Sequence, residues 1–203
     1  MQGSYPRATI SENREQGIWP VPSHSSNGYC SIIDDVQSEV QSKTGSPSNQ
    51  LRILDIGASF GDCLAEFAQN LQSRLGQDVE TVALDVNPHA VRGVRQRENA
   101  NVVIQGMTQQ VPLDNNSIDI IIVKRLLQFL YPQDQSYGLR EIERVISKTG
   151  VAVIEFDPAG TRSLNTSQLW VLSARSIRHL RHTTDDFTSY SFSIPSEGKR
   201  RKS

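Results

Sequence analysis

Cysteine is almost absent from this chain: Cys30 and Cys63 are the two in 203 residues, and they lie in separate segments. That pattern is neither a disulfide framework nor a metal-ligand spacing, and it suits a reducing compartment. A surplus of one charge is lacking too. The 21 basic and 22 acidic residues leave a formal net charge of −1, so no global field draws in nucleic acid. No apolar run approaches the ~20 residues that span a bilayer. The N-terminus lacks the basic and apolar regions of a signal peptide. The expectation is a soluble, cytoplasmic protein with no membrane partner. Its length suffices for one domain with a sizeable core.

The most informative stretch is Leu51 to Phe67, LRILDIGASFGDCLAEF. A short apolar run, Leu51, Ile53, Leu54 and Ile56, carries Asp55 near its end. A glycine-bearing turn from Gly57 to Gly61 follows, and then a helical pattern with Leu64, Phe67, Ala68 and Leu71 on one face. Strand, tight turn and helix in this order open an open α/β sheet. Gly57 can adopt φ values closed to other residues and has no Cβ to obstruct a ligand. The helix start points free N–H groups and a positive dipole end at the same place.

Here too an absence is instructive. A dinucleotide fingerprint G-x-G-x-x-G starting at Gly57 needs glycines at 59 and 62, where the chain has Ser59 and Asp62. The spacing D-x-G-x-G-x-G fits better, with Asp55, Gly57 and Gly61 in place and Ser59 in the middle. The second strand, ETVALDV from Glu80 to Val86, ends in an acid, Asp85, 24 residues beyond Gly61. An acid there accepts hydrogen bonds from both ribose hydroxyls of a nucleoside, without choosing which nucleoside. Asn87-Pro88-His89-Ala90-Val91 leads into the next helix, whose Arg92, Arg95 and Arg97 read as a solvated outer face. Strand three is Val102 to Gln105, followed by Gly106 and Met107. The run Val111-Pro112-Leu113-Asp114-Asn115-Asn116-Ser117-Ile118-Asp119 makes a turn and opens a buried strand, Ile120 to Val123. SYGLREIERVIS, residues 136 to 147, is an amphipathic helix, and Lys148-Thr149-Gly150 turns into strand five, Val151 to Phe156.

Together these passages resemble the class I S-adenosylmethionine-dependent methyltransferases. The first stretch resembles their motif I, and VPLDNNSID resembles the L-P-F-x-D-x-S-F-D passage of the small-molecule, ubiquinone/menaquinone-biosynthesis-like "methyltransferase type 11" group. LREIERVISKTG resembles that group's L-R-E-I-x-R-V-L-K-P-G-G. The resemblance runs from about Leu51 to Asp157. It implies a Rossmann-like α/β fold, with a mainly parallel central sheet, helices on both faces, and C-terminal strands reduced to one clear case, Phe187 to Ile194. It implies S-adenosyl-L-methionine as cofactor and a small-molecule substrate, methylated by in-line transfer. The implied cofactor-binding residues are Asp55, Gly57, Ala58, Ser59 and Gly61 of the turn, Asp85 and Val86 at strand two, and Gly106 and Met107 at strand three. Asp55 orients the loop and the methionine ammonium, Asp85 holds the ribose, and Val86 and Met107 lie against the adenine. Ser59 and the lack of an acid near Met107 depart from the family pattern.

The end of strand four faces the transferred methyl group in this family. The N/D-P-P-Y/F motif of amino-methylating nucleic-acid enzymes is absent there, as are a Pro-Cys nucleophile and the lysine–aspartate–lysine–glutamate set of ribose 2′-O enzymes. Lys124 and Arg125 stand there instead, either binding an acidic substrate or capping the strand in solvent. No catalytic residue is assigned; Asp157, His89 and Lys124 are the candidates for a base. No metal site is expected.

The remaining segments are read by composition. Residues 1–27 are an extended or partly disordered leader, or a lid over the ligand. Residues 28–195 form the methyltransferase-like domain, beginning with an amphipathic helix at 29–43. Leu164 to His182 reads as a helix bearing Arg175, Arg178 and Arg181, and 196–203 as a basic disordered tail. That helix and tail are the one support for nucleic acid as partner, and so for an RNA-directed methyltransferase. A binding or regulatory protein that has lost catalysis is the other alternative. A nicotinamide oxidoreductase fits the glycine spacing least.

Overall fold

A computed structural model describes residues 33, 36–38, 40, 50–156, 168–173, 177 and 199–202. The sheet is built on β1 (Gln50–Ile56), where alternation is replaced by near-continuous apolar sequence because both faces are covered. β2 (Asp78–Asp85) and β4 (Ile118–Lys124) flank it in parallel, β3 (Val102–Gln105) extends the sheet beyond β2, and β5 (Ile146–Phe156) extends it beyond β4. The strand order is β3-β2-β1-β4-β5-β6-β7. The chain leaves β1 for β2 on one side and returns from β3 to β4 on the other. This reversal between β1 and β4 is the topological switch point of an open α/β sheet.

Helices cover both faces. On one face lie α1 (Asp62–Leu75), through Leu64, Phe67, Ala68 and Leu71, and α2 (Pro88–Arg97), through Val94. The helical residues Ile33, Val36 and Val40 pack there too, where the sequence places a helix. On the other face α3 (Pro132–Val145) buries Leu139, Ile142 and Val145 together with Ile177. The strands alternate between these layers: Ile53, Ile120, Ile122, Val151 and Val153 face α1, while Leu54, Ile56, Ile121, Val123 and Ala152 face α3.

The passage from Val111 to Asp119 is a brace. Asp119 Oδ2 accepts the Arg52 N–H at 3.0 Å, just before the ladder of β1 and β4 begins at Ile53 and Ile120. Arg144 of α3 donates to the carbonyls of Val111 and Leu113 at 2.6 and 2.7 Å, and to Asn115 Oδ1 at 2.8 Å. Glu141, held by Arg144, accepts the Val111 N–H. The Arg144 hydrogen bond holds the Glu141 carboxyl below its usual range.

The C-terminal part corrects two expectations. Gln168–Ser173 is a strand, β6, rather than part of a helix from Leu164 to His182. It runs antiparallel to β5 over six paired positions, from Val151 with Ser173 to Phe156 with Gln168. The short apolar run from Leu169 to Leu172 completes that ladder, and tertiary pairing overrides the helical spacing of its leucines. Lys199–Lys202 forms β7 on the outer side of β6, so these residues are an edge strand and not a disordered tail. Among the described residues two strands thus follow β5. Phe187 to Ile194, the proposed leader at 1–27, and Asp157 lie outside the described residues. Among the described residues no helix is long and apolar enough to cross a membrane.

Candidate cofactor site

The turn after β1 adopts a specific shape. Gly57, Ser59 and Gly61 all take positive φ, at 80°, 53° and 76°. These are the three glycine positions of the D-x-G-x-G-x-G spacing. Ser59 adopts the glycine-like conformation although it carries a Cβ, a conformation that costs an L-residue about 1–2 kcal/mol. The turn is held by the Gly57 and Ala58 N–H groups, which donate to Leu84 O at 2.8 and 3.2 Å, and by Gly61 N–H on Ala58 O at 2.9 Å.

Asp85, at the end of β2, closes the turn from the side. Its Oδ2 accepts the Ser59 N–H at 2.9 Å and its Oδ1 accepts the Asn87 N–H at 2.8 Å. Burial raises the Asp85 carboxyl above its usual range, against these backbone donors, which lower it. Each oxygen keeps acceptor capacity beyond these bonds. Gly106 N–H donates to Asp85 O at 3.0 Å and ties the end of β3 to the end of β2. Beside this pair Val86 and Met107 are large apolar side chains left half exposed, at 52% and 53%.

Asp55 lies beneath the turn. It is 3% exposed, and among the described residues its Oδ1 has no hydrogen-bond partner. Burial pushes its carboxyl up to about 7; Lys124 acts to lower it and Asp85 to raise it. A buried carboxylate oxygen without a donor is costly, and an ammonium group brought to it would relieve that cost.

All nine sequence-expected binding positions therefore meet at the carboxyl ends of β1, β2 and β3. Of the candidate bases, His89 is exposed on the first turn of α2, with Nδ1 2.9 Å from Arg92 Nη2, Lys124 ends β4 beside Glu155, and Asp157 lies outside the described residues.

Sequence reasoning missed a clamp on the turn. Phe60 packs against α2, where a Cβ on Gly93 would come within 2.3 Å of its ring. The Arg97 guanidinium covers that ring at 4.7 Å and holds Asp62 at 2.7 and 2.9 Å. Asn99 Nδ2 donates to Phe60 O at 2.9 Å and Asp62 Oδ1 at 2.7 Å. Arg97 reads as surface on its own helix, and no local signal pairs it with a residue 35 positions earlier.

Switch-point topology, a left-handed glycine-type turn and an acid at the end of β2 define a Rossmann-like nucleoside-binding fold. The comparisons agree. Residues 54–154 match the family model for a methyltransferase domain. Uncharacterised methyltransferases of Mycobacterium bovis and Mycobacterium tuberculosis are 28% identical over 104 residues. That match takes in 51% of this chain but only 39% of theirs. The chain belongs to the class I S-adenosylmethionine-dependent methyltransferase family. Similar solved structures include a SAM-dependent methyltransferase of Aquifex aeolicus, 20% identical with a TM-score of 0.46, covering 64% of this chain and 72% of that one. A sugar N-methyltransferase of a Streptoalloteichus species is 14% identical with a TM-score of 0.49, over 70% and 59%.

Proposed function

We propose that this chain is a methyltransferase that uses S-adenosyl-L-methionine to methylate a small-molecule acceptor by in-line transfer. The observation that carries this reading is the orphaned Asp55 oxygen beneath a turn whose three left-handed residues close on Asp85. These residues fit the cofactor's two polar ends. The unmet acceptor at Asp55 suits an ammonium group, and the acceptor capacity at Asp85 suits a pair of ribose hydroxyls. Val86 and Met107 offer apolar surface on which an adenine would lie.

When bound, the cofactor supplies an activated methyl group on a sulfonium. The chain's own part is alignment and exclusion of water. The turn, clamped by Arg97 and Asn99, fixes the backbone that faces the ligand. Asp55 and Asp85 would hold its ammonium and ribose ends, and the methyl group it supplies would be presented to the acceptor in a fixed orientation. No general base is assigned, because alignment and desolvation suffice for displacement at a sulfonium when the nucleophile is an unprotonated amine, whose proton leaves to solvent afterwards, or an already ionised oxygen or sulfur.

Calorimetric titration with S-adenosylmethionine, S-adenosylhomocysteine and NAD tests the reading, with Asp85→Ala alongside. The expected result is binding of both sulfur nucleosides, weakened about tenfold or more in the variant, and none of NAD. Absence of binding by either sulfur nucleoside would sink it.

A further inference from the structure

The carboxyl ends of β4 and β5 carry a charged cluster outside the nine positions assigned to the cofactor. Lys124 and Glu155 stand opposite each other in the register. Lys124 Nζ lies 3.8 Å from Glu155 Oε2, and Arg125 Nε donates to Glu155 Oε1 at 2.7 Å. The three side chains are 16%, 11% and 26% exposed for Lys124, Glu155 and Arg125. Arg125 also donates its backbone N–H to Glu155 O at 2.9 Å, and it holds φ 50°, a conformation that disfavours a residue with a Cβ.

The Arg125 guanidinium is only partly engaged by Glu155. Its Nε is engaged, while among the described residues neither Nη has an acceptor. That outer edge is the fork that meets a carboxylate with two parallel hydrogen bonds. It also stands in the right place. The next residue, Leu126, comes within 3.3 Å of where a Cβ on Gly57 would lie, so Arg125 borders the crevice at the β1–β4 switch point.

We infer that the methyl acceptor carries a carboxylate, which Arg125 receives through its two Nη groups while Glu155 fixes the guanidinium from the other side. This rests on the cofactor assignment above. The acceptor's nucleophile is a separate group on the same molecule, because a carboxylate bound by two charge-assisted hydrogen bonds is a poor nucleophile.

The test uses protein saturated with S-adenosylhomocysteine and titrated with benzoate and with benzamide, its neutral counterpart. Binding is followed by calorimetry and by the guanidinium ¹⁵N resonances of Arg125. Benzoate is expected to bind and shift those resonances, and benzamide is not. Arg125→Met and Arg125→Lys each weaken benzoate about tenfold or more, whereas Glu155→Gln tightens it by removing the competing carboxylate. Retained S-adenosylhomocysteine binding in each variant shows that the fold is intact. Equal binding of benzoate and benzamide, no binding of benzoate, undiminished binding in Arg125→Met, or weakening in Glu155→Gln would each overturn the inference. Failure of S-adenosylhomocysteine to bind wild-type protein would instead overturn the cofactor assignment.

Discussion

If Asp55 receives an ammonium group, binding must depend on pH in a particular way. Burial raises its carboxyl from 3.8 to about 7. The folded value lies above the unfolded one, so the native state holds the extra proton between these values. Stability therefore falls as pH rises from about 4 to about 7. A difference of about 3 pH units at 1.36 kcal/mol each gives a total loss of about 4 kcal/mol. Asp55 is 3% exposed, so solvent screening removes little of this. A ligand ammonium needs the ionised form. Below pH 7 its binding must expel that proton, and affinity should rise about tenfold per pH unit up to about 7 and then level off. Lys124 acts against the shift and Asp85 with it, so both contribute to the midpoint. The assay is calorimetry with S-adenosylhomocysteine from pH 5 to pH 8, in two buffers of different ionisation enthalpy to count the protons released. Asp55→Asn should flatten the curve and abolish the proton release; any slope that remains belongs to Asp85, whose carboxyl is also raised. A flat wild-type curve, or the same slope in Asp55→Asn, would refute the placement of the ammonium.

Other substitutions probe the supports of the site. Ser59→Gly relieves a φ of 53° and should stabilise the fold by up to about 1 kcal/mol in urea unfolding, because the gain at positive φ exceeds glycine's entropic cost. Gly93→Ala places a Cβ 2.3 Å from the Phe60 ring, so the ring and the turn it belongs to must shift. The expected cost is about 1–3 kcal/mol of stability, with weaker S-adenosylhomocysteine binding; unchanged affinity would show that α2 does not set the turn. Arg144→Met removes hydrogen bonds to Val111, Leu113, Asn115 and Glu141, and should cost about 2 kcal/mol in the same unfolding assay while leaving nucleoside affinity nearly unchanged.

What the sequence revealed was local. β1, its turn and α1 are contiguous, so apolar spacing and three glycine-type positions were enough to place them. Asp85 was legible because a strand's carboxyl end is marked by where its apolar run stops. Ser59 is instructive on this point. As a letter it breaks the glycine pattern, yet the backbone keeps the left-handed conformation there, because Leu84 O and Asp85 hold the turn from both sides. The pattern described a backbone shape, and glycine was one way to fill it.

The parts that stayed hidden depend on pairing across the chain. Arg97 and Asn99 reach Asp62 over 35 and 37 residues, and an arginine on a polar helix face looks the same whether it meets water or a carboxylate. β6 was hidden because six residues suffice for a strand only when β5 offers an open edge. Lys124 and Arg125 show the limit most clearly. Sequence left them between binding an acidic substrate and capping a strand in solvent. The fold adds Glu155, brought opposite by the β4–β5 register, and that third group changes the question. A carboxylate that occupies Nε, with no acceptor on either Nη among the described residues, orients the guanidinium without satisfying it. The cluster is thus neither a solvent cap nor a closed ion pair. Lys124 also lowers the Asp55 carboxyl one strand away, so the carboxyl ends of β1 and β4 are electrostatically coupled.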